Sequence, residues 1–276
     1  MGARNVGKHT LSFMIIYPDR LWQSGDMGMV RALDYRSQGR SITIDWQICN
    51  YGEALDLSQI SAVILGGRTI TDPASLMDDL KRLKARQLQE MIAEGLPLLA
   101  VGAGFAICCR EFETLHQRTI PGLGIFDTVS THPNLRKQHG DLLLWSPWLL
   151  PETLGDSQQA TPRFTDLRPE DAVRDELIIT NVRQGRRAAK PEPQDALGSV
   201  IFNVDQGREV EYEGMRREQI IGTHAQGSIL PLNPALTDWF LEQALLYQEA
   251  KPLAPMEKEA ETLVRQKILE RMINDY

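Results

Sequence analysis

Residues Leu96–Cys109 read L-P-L-L-A-V-G-A-G-F-A-I-C-C, and this stretch decides the fold. A short apolar run ends in two glycines around one alanine, and more apolar residues follow. A buried strand that breaks into a tight turn and feeds a helix has this pattern. In α/β enzymes such an elbow holds a nucleophile on strained backbone. Here the elbow position is Gly102, which has no side chain to attack with.

Working outward, the first half alternates strands and helices. Leu11–Tyr17, Ser41–Ile48 and Ala62–Leu65 are predicted strands, the last closing on Gly66-Gly67. Met29–Gln38 is a predicted helix. Asp72-Pro73 starts another, with Leu76, Leu80, Leu83, Leu88, Met91 and Ile92 on one stripe and Gly95 ending it. Lys81, Arg82, Lys84 and Arg86 on that helix are expected to form a solvated basic face. Strand–helix alternation implies a parallel sheet with helices on both faces.

The second half carries short strand-like pieces at Gly124–Ser130, Asp141–Trp145, Glu176–Val182, Ser199–Asn203, Glu209–Met215 and Gln219–His224. They suggest an antiparallel extension of the sheet. Ser146–Asp175 is polar and proline-containing, and is expected to be a long surface loop. Asn233-Pro234 is a helix start, and that helix runs to about Ala250. Glu257–Tyr276 forms a final helix with Ala260, Val264, Ile268 and Met272 spaced by four. The expected organisation is a flexible start over 1–10, one domain over 11–250 and a helical extension over 251–276.

The composition narrows the function classes. The net charge of −7 disfavours nucleic acid and acidic membrane surfaces as partners. No apolar run is long enough for a membrane span, and the N-terminus lacks a secretory signal pattern. Gly2, Gly7 and Lys8 imitate a phosphate loop, but no strand precedes them and His9 replaces the required hydroxyl. Cys49, Cys108 and Cys109 have no metal-type spacing and are expected to be free thiols in a reducing cytoplasm. Neither a metal nor a cofactor is implied.

Four pieces in order carry a resemblance. They are Y-P-D-R-L-W-Q-S-G-D-M-G (Tyr17–Gly28), L-G-G (Leu65–Gly67), L-A-V-G-A-G-F (Leu99–Phe105) and G-T-H-A-Q-G-S-I-L-P-L-N-P-A-L (Gly222–Leu236). P-G-L-G-I-F-D (Pro121–Asp127) adds a fifth. The chain resembles the class I glutamine amidotransferases of the CobB/CobQ-like group, and within it the GatD type. The resemblance implies a flavodoxin-like, three-layer α/β fold with a parallel central sheet and an antiparallel extension. It also implies a MurT-like Mur-ligase subunit as partner, glutamine as ligand, and ammonia delivered for amidation of lipid II. In such enzymes an elbow cysteine attacks the glutamine amide, backbone N–H groups hold the oxyanion, and a histidine moves the proton.

The sequence departs from the family at both decisive positions. Gly102 stands where the resemblance places the cysteine, and Gln226 where it places the histidine. Glycine cannot form a thioester, and a carboxamide does not titrate near neutral pH. Gly66, Gly67 and the Ala103 amide match the family's oxyanion hole, and Arg136 falls near a substrate-holding arginine. His224, two residues before Gln226, is the candidate displaced base; on a continuous strand it would share that residue's face. The reading is a catalytically degenerate amidotransferase-like protein that acts by binding. The alternatives are an active subunit with a relocated nucleophile or using free ammonia, and a small-molecule sensor in the old glutamine pocket.

Overall fold

The structure, a computed structural model, describes residues 9–23, 25–67, 70–114, 116–131, 140–150, 160–180, 182–183, 187–188, 191–203 and 212–276. The central sheet has six strands: β1 (His9–Ile16), β2 (Ile42–Cys49), β3 (Ala62–Leu65), β4 (Leu98–Val101), β5 (Met215–Arg217) and β6 (Ile220–Thr223). Their spatial order is β5-β6-β4-β3-β1-β2. All neighbours run parallel except β5, which pairs antiparallel with β6. The order β2-β1-β3-β4-β6 is the flavodoxin-like arrangement, in which ligand sites lie beyond the carboxyl ends of the strands.

Strand alternation builds three layers. Met14, Ile16, Val63, Leu65, Leu98 and Ala100 point to one face. There they meet α2 (Pro73–Leu83) and α3 (Ala85–Ala93) through Leu76, Leu80, Leu88 and Ile92. Leu11, Phe13, Ala62, Ile64, Leu99 and Val101 point the other way. That face is covered by α1 (Met27–Gln38) and by α5 (Pro234–Tyr247), whose Phe240 stacks edge-on against Phe13. Between them, the short α4 (Ala103–Cys108) follows the elbow.

The second half does more than extend the sheet. Only β5 adds an antiparallel edge to it. Leu142–Trp145, Leu177–Thr180, Gly198–Asn203 and Tyr212–Glu213 form a separate four-stranded sheet. Cys109–Glu113, Thr119–Pro121, Phe126–Thr131 and Arg187–Ala188 form another. The described parts of the 146–175 stretch hold three short 3-10 turns, with Leu167 and Ala172 buried under the last helix. Of the expected flexible start, residues 1–8 lie outside the described residues, and His9 already belongs to β1.

The basic run after Asp72 is not one solvated face. The helix breaks at Lys84, which is 2% exposed. Its Nζ donates to Asp79 Oδ2 and to the Glu53 carbonyl, both at 2.7 Å. Tyr17 Oη donates to the same Asp79 oxygen at 2.6 Å, and the ammonium lies over the Tyr17 ring. Burial pushes the Asp79 carboxyl up, but hydrogen bonds from Lys84, Tyr17 and Gly52 outweigh it and hold it below its ordinary value. A buried charge is tolerated here because every partner is in place.

The final helix, α6 (Glu259–Asp275), packs on its own chain by part of the stripe expected, with Met272 buried and Ile268 half-buried against the same cluster. Val264 is 48% exposed, whereas Arg265, Leu269 and Met272 are buried. Arg265 sets this face. Its guanidinium donates to the carbonyls of Ala172, Arg174, Leu177 and Leu232 at 2.7–2.9 Å and to Asn233 Oδ1 at 3.1 Å. An apolar stripe could not satisfy those carbonyls, so the charged residue takes the core position. Burial draws its pKa down to about 10, which leaves it charged at neutral pH. Removing it takes a donor from four carbonyls at once, of which the Arg174 carbonyl keeps the Leu177 N–H. Arg265→Ala should destabilise the chain by roughly 3–5 kcal/mol in urea unfolding. A cost under about 1 kcal/mol would show that water replaces the guanidinium freely.

Candidate functional site

The elbow exists. Gly102 sits between β4 and α4 at φ 62 and ψ −113, a conformation that strains any residue with a Cβ. Its N–H donates to the Thr223 carbonyl at 2.7 Å, which fixes the turn against the end of β6. Gly104 is equally constrained, because a Cβ there would meet the Leu65 carbonyl oxygen at 1.7 Å. The elbow helix therefore lies directly against the end of β3. This is nucleophile-elbow geometry carried by glycine.

The space for a nucleophile is filled. A Cβ built on Gly102 would lie 1.6 Å from Gln226 Nε2 and 2.3 Å from the Gly67 carbonyl oxygen. Gln226 is 4% exposed, and its Nε2 donates to that carbonyl at 2.8 Å. The Ala103 N–H donates to the same oxygen, also at 2.8 Å. The structure thus brings Gly67, Gly102, Ala103 and Gln226 together, and the Ala103 N–H is taken up by the Gly67 carbonyl oxygen.

Gly66 lies beside this cluster. A Cβ on it would fall 3.0 Å from Met29 Cε, 3.1 Å from Trp22 Nε1 and 3.6 Å from Asp26 Oδ1. Trp22 and Asp26 therefore lie close over the end of β3. Trp22 Nε1 is buried and has no hydrogen-bond partner among the described residues. Asp26 is 6% exposed, and its Oδ2 accepts from the Gln23 N–H at 2.7 Å. Burial raises the Asp26 carboxyl above its ordinary value, and that backbone bond only partly offsets it. Neither side chain stood out in the sequence beyond its place in the Tyr17–Gly28 motif.

His224 does not join the cluster. β6 ends at Thr223, and Ala225–Gln226 pairs instead with Val182–Arg183. That break ends the alternation that would have put His224 and Gln226 on one face. The His224 ring is fully buried 4.7 Å from the Phe105 ring, with Nε2 3.1 Å from Ser130 Oγ. Cys108 and Cys109 are also fully buried. Burial, with Cys109 beside it, pushes the Cys108 thiol well up, away from the thiolate that attack requires. Arg136 lies outside the described residues. Among the described residues no cluster of acidic, His or Cys side chains could hold a metal ion.

Comparison with known proteins follows this geometry. A glutamine amidotransferase of known structure covers 84% of this chain and 98% of its own at 11% identity, with a TM-score of 0.50. Another, from Thermotoga maritima, covers 96% of this chain and 99% of its own at 15% identity, with a TM-score of 0.49. No family model matches the chain. The chain is similar to class I glutamine amidotransferases. Within that class it is GatD-like. It is 25% identical over 265 residues to the GatD subunit of lipid II isoglutaminyl synthase (glutamine-hydrolyzing) from Staphylococcus aureus (strain N315), covering 95% of this chain and 96% of that protein.

Two measurements test the site. In a double-mutant cycle, Gly102→Ala should cost roughly 2–4 kcal/mol, from strain and from collision with the Gln226 amide. Gln226→Ala in the same chain should recover at least about 1 kcal/mol of that cost. Strict additivity would show that the two side chains do not compete for one space. The second concerns Asp26. Its native state holds the proton to higher pH than the unfolded chain does, so its contribution to stability falls as pH rises through and above about 4. Asp26→Asn keeps an acceptor for the Gln23 N–H without the charge. Its melting temperature should gain on the parent protein from pH 4 to pH 7; a constant difference across that range would refute the assignment.

Proposed function

We propose that this chain is a catalytically degenerate GatD-like subunit that acts by binding a MurT-like Mur ligase in cell-wall amidation in the cytoplasm. One observation carries the reading: the Gln226 carboxamide lies within bonding distance of where a nucleophile's Cβ would be. The position has neither a thiol nor room for one. The base position carries a group that cannot exchange a proton near neutral pH. In this reading Gly66, Gly67 and Ala103 keep the turn without binding substrate. The amidotransferase-like domain spans 11–250, and 251–276 is an extension locked to it.

The alternative is an active subunit that supplies ammonia through a relocated nucleophile. Burial of Cys108 and Cys109 argues against it, as does the placement of His224 against Phe105 and Ser130. The deciding experiment measures ammonia release from glutamine by the purified chain, alone and with a MurT-like partner. The expected result is background release in both, together with co-purification of the partner. Release above background that vanishes in Cys108→Ser, Cys109→Ser or His224→Ala would overturn the degenerate reading.

A further inference from the structure

A cavity of about 320 Å³ opens on the outer side of α1, away from the four residues of the elbow cluster. Gly28 and Ala32 of α1 form one wall, and Leu230, Pro231 and Pro234 form the opposite one. Glu261 of the final helix closes the end. The volume is at the lower end of the range that small-molecule pockets occupy, and the lining is almost wholly apolar. Gly28 fixes its floor, because a Cβ there would lie 3.3 Å from Pro231 Cγ.

The charges around it are uneven. Arg36 lines the cavity, but its guanidinium is spent on Asp238 and on Glu261, the latter at 2.6 Å. Arg40 adds a second cation to Asp238 at 2.8 Å. Arg31 and Tyr35 also line the cavity and are exposed, so they stand at its mouth. Arg31 forms no ion pair with any described residue. The cluster therefore sets three arginines against two carboxylates, and the unpaired cation is the one at the opening. Beside it Tyr35 is 54% exposed and Met27 46% exposed.

We propose that this cavity binds a small amphiphilic acid, with its aliphatic chain inside and its carboxylate on Arg31. An apolar chain removes the cavity surface from water, and a guanidinium at the mouth holds a carboxylate by paired N–H donors. A cationic amphiphile would place its head against an unopposed arginine. The inference does not rest on the reading of the elbow. It does tie the cavity to that site mechanically, because Gln226 is followed directly by the Gly227–Pro231 segment that walls it. Ligand in the cavity would hold that segment, α1 and the final helix together.

Isothermal titration with sodium hexanoate, octanoate and decanoate, each below its micelle concentration, tests the proposal, with decylammonium as the control. Binding should strengthen by about fourfold for each added methylene. Decylammonium should bind at least about tenfold more weakly than decanoate. Ala32→Phe fills the cavity and should abolish decanoate binding while the chain still melts cooperatively without ligand. If that variant does not fold, the exposed Arg31→Glu decides alone: decanoate binding should weaken by at least about tenfold. No decanoate binding to the parent protein overturns the proposal. So does equal binding of decylammonium, or unchanged decanoate affinity in a folded Ala32→Phe or in Arg31→Glu.

Discussion

The carbonyl oxygen of Gly67 accepts two hydrogen bonds, one from the Ala103 N–H and one from Gln226 Nε2, each 2.8 Å long. This single acceptor joins the end of β3, the first residue of the elbow helix and the segment after β6. In an enzyme with this elbow, three things would have to differ. The acceptor would point elsewhere, the Ala103 N–H would be available for an oxyanion, and the space above residue 102 would hold a side chain. Here the polar groups satisfy one another inside a buried cluster. These bonds tie together the elements that meet at the sheet's C-terminal edge.

The same bond is reached from the far end of the chain. Arg265 donates to the Leu232 carbonyl and to Asn233 Oδ1. Asn233 in turn bonds both the N–H and the carbonyl of Ile179 at 2.8 Å. The neighbouring Thr180 hydroxyl donates to the Gln226 carbonyl at 3.0 Å. A line of buried hydrogen bonds thus runs from the final helix to the residue that fills the elbow. Each link is a polar group that would be costly to leave alone. The final helix therefore bears on how firmly the Gln226 backbone is held, although it lies far from Gly102 in sequence.

Much of the fold was legible because it rests on local rules. The apolar runs at Leu11–Tyr17, Ala62–Leu65 and Leu96–Val101 mark buried parallel strands, and the glycines after them mark the turns. Gly102 and Gln226 could be picked out from the order of motifs. What they do to each other could not, because the contact spans more than a hundred residues and depends on where a carboxamide points. His224 could not be placed for a related reason. A period-of-two argument needs an unbroken strand, and β6 stops one residue before it. Lys84 and Arg265 were hidden because sequence patterns assign charges to the surface. Only the tertiary structure shows the carbonyls and the carboxylate that make burying them tolerable. On the final helix Met272 is buried as its spacing suggests, but Arg265 is buried where the expected stripe had Val264.

The geometry also makes the two substitutions interdependent. A cysteine at 102 would collide with the Gln226 amide, so restoring the nucleophile alone places a side chain in occupied space. Replacing Gln226 alone takes one donor from the Gly67 carbonyl and leaves an opening beside a glycine that has nothing to fill it. Making both changes still leaves the Gly67 oxygen 2.3 Å from the new Cβ, so the Gly67 carbonyl must move as well. Leu21 packs closely on Gly67, where an added Cβ would fall 2.5 Å from both the Cβ and the carbonyl oxygen of Leu21. The Gly67 φ of 132 is a value that glycine tolerates and other residues rarely adopt. Any side chain placed at 102 therefore competes with a backbone carbonyl as well as with the Gln226 amide.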